Sequence, residues 1–267
     1  MVILAYALAA LVGISLGLIG SGGSILTVPI LVYVMGIEPV HATAYSLFIV
    51  GTTALVGAIQ KSFQSTVDYK TIILFGIPSL LAVYTTRLWI VPASPDVLFN
   101  ISGFVFTKSL FLLILFAVVM ILASYSMIKP AKIDNAQTAE TRKINYKMLF
   151  LQGIAVGGLT GLVGVGGGFL IIPALVFFAR IPMKTAIGTS LFIIAANALI
   201  GFTGDLQGDQ NMDWPLLFGF AAVSIIGIFI GNYLCKKIDG SKLKSVFGWF
   251  VLAMGIYILL KELIFKF

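Results

Sequence analysis

The chain has 267 residues, of which 60% are hydrophobic and 10% are charged, and its formal net charge is +7. So much apolar surface cannot be buried inside one soluble core, so the composition excludes a soluble domain and indicates an integral membrane protein. The Lys and Arg residues lie between apolar segments, where such residues orient membrane helices, which argues against nucleic-acid binding.

The first apolar segment, residues 2–19, lacks the basic residues that open a secretory signal peptide, and it has a counterpart at 148–163. We therefore expect it to remain in the mature protein. Cys235 is the only cysteine, which excludes an internal disulfide and a cysteine metal cluster. No cofactor or metal is expected.

Ten apolar segments follow one another along the chain. They are 2–19, 25–35, 42–60, 70–91, 103–128, 148–163, 169–179, 185–204, 214–235 and 246–264. Because a bilayer offers no hydrogen-bond partners to backbone groups, apolar segments without period-two alternation are predicted to be helices. Segments 25–35 and 169–179 are too short to cross a core of about 30 Å at about 1.5 Å per residue. The predicted fold is an all-α polytopic transmembrane bundle.

Both short segments follow a glycine-rich break. The first break, residues 20–24, reads Gly-Ser-Gly-Gly-Ser, and the second break, residues 164–168, reads Gly-Val-Gly-Gly-Gly. A proline follows each break at the same distance, at Pro29 and Pro173. Such self-similarity indicates an internal repeat.

The repeat holds without a gap from Gly17/Gly161 to Gly57/Gly201, and eighteen of 41 pairs are identical. We therefore divide the chain into a first transmembrane repeat at 1–128, a linker at 129–147 and a second transmembrane repeat at 148–267. A polar linker between two copies of one pattern is typical of transporters built from repeats.

Loop charges predict how the repeats are oriented. The linker 129–147 and the loop 236–244 are rich in Lys and Arg and are placed in the cytoplasm, whereas Asp205, Asp209 and Asp213 are placed outside. Each repeat is then a hairpin folded at its glycine break, followed by three crossings, with both termini outside. An odd number of side changes inverts the second repeat relative to the first. The alternative treats each broken segment as one tilted crossing, which gives parallel repeats.

The motifs resemble those of the TauE/SafE family of sulfite and organosulfonate exporters. The residues that carry the resemblance are the two Gly-x-Gly-Gly-(Ser/Gly)-x(4)-Pro motifs and the Ala-x(3)-Ser-Leu-Phe-Ile blocks at 42–49 and 186–193. The resemblance implies an inner-membrane carrier of bacteria or archaea that exports a small sulfur-containing or organic anion such as sulfite, a sulfonate or sulfoacetate. It leaves open the cargo, the coupling ion and the oligomeric state, a homodimer included.

A glycine break inside a membrane exposes the first N–H groups of the following helix, where the helix dipole also favours an anion. Inverted repeats would bring the two breaks together near the midplane, so we predict a substrate site there. The predicted contacts from the breaks are Ser21, Gly22, Gly23, Ser24, Gly166, Gly167 and Gly168. Alternatively, the glycines serve only close helix packing.

Further polar residues are candidates for the site. Ser46 and Ser190 occupy equivalent positions in the repeats and, with Asn197, offer hydrogen bonds to sulfonate oxygens, although bonding between helices is the alternative. His41 is a candidate for proton coupling because imidazole titrates near neutral pH, although a histidine at the end of a crossing is more often interfacial. Arg87 is a candidate gate, although an arginine at the end of a crossing usually reaches the interface. No acid lies centrally in an apolar segment, which disfavours a cation as cargo.

Two other functions stay open. An intramembrane hydrolase would use Ser21 as nucleophile and His41 as base, but the second repeat has Val165 and Thr185 at these positions. A membrane scaffold without transport activity is the other alternative. Secondary transport by alternating access is the predicted function, with a small anion and membrane lipid as partners.

Overall fold

The computed structural model describes most of the chain, and nearly all of the described part is helical. The described residues are 2–20, 22–63, 67–101, 104–128, 146–164, 167–177, 179, 181–206, 212–235 and 240–264. An all-α bundle is therefore confirmed. The linker predicted at 129–147 falls almost entirely outside the described residues.

Each repeat contributes five helices to the described part. Those of the first are α1 (Val2–Ile19), α2 (the consecutive turns Gly22–Leu26, Thr27–Pro29 and Ile30–Val34), α3 (Pro39–Ser62), α4 (Tyr69–Ala93) and α5 (Lys108–Ile128). Those of the second are α6 (Tyr146–Val163), α7 (Gly168–Phe177), α8 (Met183–Leu206), α9 (Trp214–Cys235) and α10 (Gly240–Ile264).

Among the described residues, five helices are long and apolar enough to cross a membrane. They are Pro39–Ser62, Tyr69–Ala93, Lys108–Tyr125, Thr185–Leu206 and Trp214–Leu234. Three shorter apolar helices accompany them, at Leu4–Ile19, Ser24–Val34 and Lys147–Val163. Apolar side chains cover much of the outer surface, as in a protein surrounded by lipid.

One element departs from the prediction of a helix over 103–128. Strands β1 (Val97–Ile101) and β2 (Phe104–Thr107) form an antiparallel hairpin between α4 and α5. Phe99 and Phe106 lie opposite each other with stacked rings, and such aromatic cross-strand pairs stabilise a hairpin. A short apolar run fits a strand as well as a helix, so the sequence of 104–107 did not predict the strand that the structure has there.

The ends of α1 and α6 are set by glycine. Gly20 and Gly164 have φ values of 84° and 73°, which is the left-handed conformation that ends many helices and that other residues adopt only with strain. Their N–H groups bond to the carbonyls of Leu16 and Thr160, each at 2.8 Å. The two glycine breaks therefore begin with the same turn.

Helix α1 packs along α9, and the contacts give their relative direction. A Cβ on Gly13 would meet Ser224 and Gly227, and one on Gly17 would meet Gly231. Residue numbers rise together in both helices, so α1 and α9 run parallel. Such glycine contacts let two backbones approach closely.

The same pairing occurs between the repeat-related helices α6 and α4. Gly153 faces Phe75, and Gly157 faces Ser79, so these helices also run parallel. The first helix of each repeat thus packs on the fourth helix of the other repeat. The repeats are interleaved rather than forming two separate globular units.

Helices α3 and α8 form the centre of the bundle and run antiparallel. Leu47 packs on Gly201, whereas Gly57 lies near Leu191. Helix α9 runs parallel to α3, since Tyr45 bonds the N–H of Asp213 while Gly57 meets Ile228 farther along.

Helices α1 and α3 therefore have the same direction, and the chain turns back between them through α2. Helix α4 runs parallel to α8, because Asn197 bonds Ser79 and Gly201 meets Val83.

Candidate functional site

The second glycine break lies against a buried arginine. A Cβ on Gly164 would collide with Nη2 of Arg87 and with Thr43, so only glycine fits at this position. Arg87 is on α4 and Thr43 is on the first turns of α3. The break therefore sits where the end of α4 meets the start of α3.

Arg87 is 1% exposed, and among the described residues it is the only Lys or Arg that is buried. Its Nη1 donates to Thr43 Oγ1 at 3.1 Å and to the carboxylate of Asp205, with Oδ2 at 3.2 Å. Its Nε and Nη2 are buried and have no hydrogen-bond partner within the described part of the chain. One nitrogen thus serves two acceptors while the other two serve none.

A second polar atom lies at the same break. Gly167 has a φ of 69°, and a Cβ there would collide with Oγ1 of Thr160. This hydroxyl is buried, and no described residue is its hydrogen-bond partner. Helix α7 begins one residue later, at Gly168. The break therefore has Arg87 at Gly164, Thr160 at Gly167, and the N-terminus of α7.

The first glycine break meets Ile187. The three heavy atoms nearest to a Cβ on Gly20 would all belong to this residue, at the start of α8. At the end of α9, a Cβ on Gly17 would meet the backbone N of Asn232, whose side-chain amide donates to Gln60. Asn232 takes the place that Arg87 takes in the first repeat, once the one-residue shift between α4 and α9 is allowed for. Each break thus meets the other half of the chain, and of Gly20 and Gly164 only Gly164 has a charged side chain among its nearest described neighbours.

The two breaks do not meet at the midplane, so that prediction is wrong. Gly20 contacts Ile187, whereas Gly164 lies beside Arg87, which bonds Asp205. Ile187 and Asp205 are about 18 residues apart on α8, or about 27 Å at the helical rise. The hairpin tips therefore lie near opposite ends of the α3–α8 pair, because α1 and α6 each run along almost a full crossing helix.

Ser46 and Ser190 are separated in the same way. Ser46 lies one turn beyond Thr43 on α3, and Ser190 lies one turn beyond Ile187 on α8, so each serine neighbours the break of the other repeat. Both are fully buried. Ser190 donates to the carbonyl of Ile187 at 2.9 Å, but Ser46 Oγ has no partner among the described residues.

Asn197 lies between the two breaks, near the middle of α8. Its Nδ2 donates to Ser79 Oγ on α4 at 2.6 Å, which is a bond between helices, as the alternative interpretation expected. Its Oδ1 is buried and unpartnered within the described ranges. The amide is therefore half satisfied by the protein.

The remaining predicted contacts are distributed around the first break or lie outside the described residues. Gly22 and Gly23 form the first turn of α2, and Ser24 is buried and has a polar partner there. Ser21 and Gly166 lie outside the described residues.

The structure places His41 and Arg87 in different surroundings. His41 Nδ1 lies 2.9 Å from Glu38 on a side chain that is 38% exposed, which is an interfacial position. Arg87 does not reach the interface as the sequence pattern suggested, because it is buried on Asp205. Asp205, expected in an outside loop, has a side chain only 12% exposed.

Sequence reasoning missed Thr43, Thr160 and Asp205 as parts of this polar cluster. Thr43 and Asp205 lie on different helices, more than 150 residues apart in sequence, and no spacing pattern joins them. One signal was present for Arg87, since it is a charge where the other repeat has Asn232. A charged residue inside an apolar segment marks a functional site.

The described helices define a polytopic α-helical membrane protein. Residues 5–258 match the family described as Sulfite exporter TauE/SafE, and the chain belongs to this family. The resemblance seen in the glycine and proline motifs is thereby confirmed.

Relatives share this class. A probable membrane transporter protein of Xylella fastidiosa (strain 9a5c) is 31% identical over 253 residues, which are 93% of this chain and 91% of that protein. One from Methanocaldococcus jannaschii is 26% identical over 265 residues, covering 94% and 92% of the chains. The probable membrane transporter protein YunE of Bacillus subtilis is 29% identical over 240 residues, covering 83% and 82%. No solved structure matches the chain.

Proposed function

We propose that this protein is a secondary transporter for a small anion, sulfur-containing or organic, which it exports across the inner membrane by alternating access. The observation that carries the proposal is Arg87, a buried cation whose ion pair with Asp205 leaves two of its nitrogens unpartnered among the described residues. Buried polar groups without a hydrogen-bond partner are costly, and an ionisable residue inside a membrane helix is a candidate for function. Family membership supports export of a sulfite-like anion.

The direction of the helices supports an inverted repeat. Helices α1, α3 and α9 run one way, while α4, α6 and α8 run the other way. Corresponding helices of the two repeats therefore oppose each other, and each glycine break folds a hairpin. Inverted repeats of this kind permit two related conformations that open to opposite sides.

Alternating access then follows from the interleaving of the repeats. The pairs α1–α9 and α4–α6 each join both repeats through close glycine contacts and can move as units against α3 and α8. The proposed cargo is a sulfite, sulfonate or sulfoacetate-like anion, and a proton gradient is the proposed driving force. We place linker 129–147 in the cytoplasm and both termini outside.

The test of the function is flux into sealed vesicles that contain the purified protein. Sulfite, sulfoacetate and taurine are offered with and without a pH gradient, and uptake is compared with vesicles that lack protein. We expect at least one of the two anions to move faster than in empty vesicles. Absence of flux for all three solutes, together with no thermal stabilisation by them, would contradict the proposal and favour a scaffold.

The inverted topology has a separate test. On a Cys235→Ser background, single cysteines replace Asn135 in the linker, Asp209 in the opposite loop and Lys184 in the first turn of α8. A membrane-impermeant thiol reagent should label Lys184→Cys from the same side as Asn135→Cys. Labelling of Lys184→Cys from the side opposite Asn135→Cys, with Asp209→Cys then labelled from the side of Asn135→Cys, would contradict the hairpin and favour the tilted crossing with parallel repeats.

A further inference from the structure

We infer that Asp205 is a built-in competitor of the transported anion, occupying Arg87 until a small oxyanion replaces it at the second glycine break. This inference rests on the proposed anion transport and assigns its binding group. The binding site would consist of Arg87, Thr43, Thr160, Gly164, Gly167 and the N-terminus of α7.

The first support is the poor geometry of the ion pair. A guanidinium that is structurally paired usually presents two parallel N–H groups to the two carboxylate oxygens. Here Nη1 alone reaches Asp205, with distances of 3.2 Å to Oδ2 and 3.4 Å to Oδ1, and it also reaches Thr43. The Nε and Nη2 edge, which would form such a fork, has no acceptor among the described residues.

The second support is the place where the unpartnered edge lies. Nη2 touches the backbone of Gly164, where a methyl group would collide with it. Across the turn, the hydroxyl of Thr160 touches Gly167 and is likewise buried without a partner in the described chain. Two polar side chains without a partner in the described chain therefore lie at the two described glycines that flank residues 165 and 166, Arg87 at Gly164 and Thr160 at Gly167.

The third support is the helix that starts at this turn. Helix α7 has ten residues, Gly168–Phe177, and its first bonds run from the N–H groups of Leu170 and Ile171 to the carbonyl of Gly167, so the N–H groups of residues 168 and 169 have no acceptor within the helix. The positive end of its dipole favours a negative group at the turn. Together with Arg87 and Thr160, this end offers donors to an anion with several oxygens, such as a sulfonate, sulfite or carboxylate.

Asp205 is placed so that it can leave. It is the second-last residue of α8 and its side chain is 12% exposed, whereas Arg87 is 1% exposed. A carboxylate at the edge of the bundle is able to turn toward water without a large change of fold. Arg87 remains buried, so an incoming anion would neutralise its positive charge in place of Asp205.

The charge of Arg87 determines which anions should bind. Arg87 carries one positive charge, and Asp205 balances it. A singly charged oxyanion replaces that balance directly, whereas a second negative charge would be buried without a cation. We therefore expect monoanions to bind more tightly than dianions of similar size.

The test uses the full-length protein in detergent, with binding measured by titration calorimetry and folding by thermal unfolding. The probes are methanesulfonate as a monoanion and sulfate as a dianion. Wild type is compared with Asp205→Asn, Arg87→Gln and the double variant. The double variant replaces the ion pair by two neutral amides and so serves as the folding control.

We expect Asp205→Asn to bind methanesulfonate about ten-fold or more tightly than wild type, since a competing charge is removed. Arg87→Gln and the double variant should bind no methanesulfonate, even where the double variant recovers the unfolding temperature. Sulfate should bind more weakly than methanesulfonate to wild type.

Two results would overturn the inference while anion flux by the wild type still upholds the transport function. One is weaker binding to Asp205→Asn than to wild type, which would make the carboxylate part of a structural pair. The other is binding to the double variant that equals wild type, which would place the anion elsewhere. Failure of every variant to bind either probe, combined with no flux of any anion, would overturn both.

Discussion

The two glycine breaks are built on the same plan and surrounded by different chemistry. Gly20 and Gly164 adopt the same left-handed turn, and the N–H of each donates the same hydrogen bond to a carbonyl of the preceding helix. A Cβ on Gly20 would meet Ile187, whereas Gly164 lies against Thr43 and Arg87. The turn at the first glycine is thus the same in both breaks, while only Gly164 has a charged side chain among its nearest described neighbours.

This difference shows how a duplicated fold can hold a single charged site. Two cationic sites on opposite sides of the bundle would each need a counter-charge in a medium of low dielectric constant. With an arginine at one break only, the cost of burying a second cation does not arise. The comparison therefore predicts that equivalent substitutions at the two breaks have unequal effects.

The largest difference is expected between Arg87→Gln and the repeat-related Asn232→Ala. Removing the cation should lower anion flux at least about 100-fold, because truncating one member of a buried charge pair costs several kcal/mol. Removing the neutral amide should change flux by less than about five-fold. Flux into vesicles at equal protein content measures both. Equal losses in the two variants would contradict the one-sided charge.

The next difference is expected between Gly164→Ala and Gly20→Ala, measured by thermal unfolding. Both substitutions cost about 1–2 kcal/mol for the left-handed conformation. Gly164→Ala also collides with the backbone of Thr43 and with Arg87, so its total loss should reach about 3 kcal/mol or more.

Gly20→Ala collides mainly with the Cγ2 methyl of Ile187, which a side-chain change can relieve. The double variant Gly20→Ala with Ile187→Ala should therefore lose less stability than the sum of the losses in the two single variants. Strict additivity of the two losses would show that the contact does not exist in solution.

A smaller difference is expected between Ser46→Ala and Ser190→Ala. Ser46 is buried without a partner in the described chain, so its removal should leave stability within about 0.5 kcal/mol and weaken methanesulfonate binding about three- to ten-fold. Ser190 already donates to Ile187, so its removal should leave binding unchanged. Equal losses of affinity would instead support the sequence-based prediction that Ser46 and Ser190 both contact the anion.

The smallest effect is expected for His41→Gln. The imidazole lies at the exposed start of α3, where Glu38 partners it, so glutamine retains a polar side chain at little cost. Flux driven by a pH gradient should stay within about two-fold of wild type. A loss confined to the flux driven by the gradient would assign the coupling proton to His41 after all.

Much of the fold was predictable from local patterns. The length of the apolar segments and their lack of apolar–polar alternation predict membrane helices. The two glycine motifs predict where α1 and α6 end, because only glycine takes the required turn without strain. The β-hairpin at Val97–Thr107 was not predictable in the same way. Its apolar residues suit a helix or a strand, and stacking between Phe99 and Phe106 decides the outcome.

The site was predictable only in part. Ser46, Ser190 and the breaks were identified from the repeat, but their grouping was wrong, since symmetry in sequence does not say which ends come together. Arg87 looked like an interfacial residue because its position near the end of an apolar segment is ambiguous. Its burial follows from α6 and α8 packing on both sides of α4.

The sequence by itself determined that this is a two-repeat helical membrane protein whose helices break at Gly20 and Gly164. Composition, helix length and the conformational preference of glycine are properties of a local stretch of sequence, and they do not depend on which residues pack against that stretch. Only the tertiary structure decided that the breaks lie at opposite ends of α3 and α8, and that Arg87 meets Asp205 at one of them. Those contacts depend on helix direction and on side chains far apart in the chain, which no local pattern encodes.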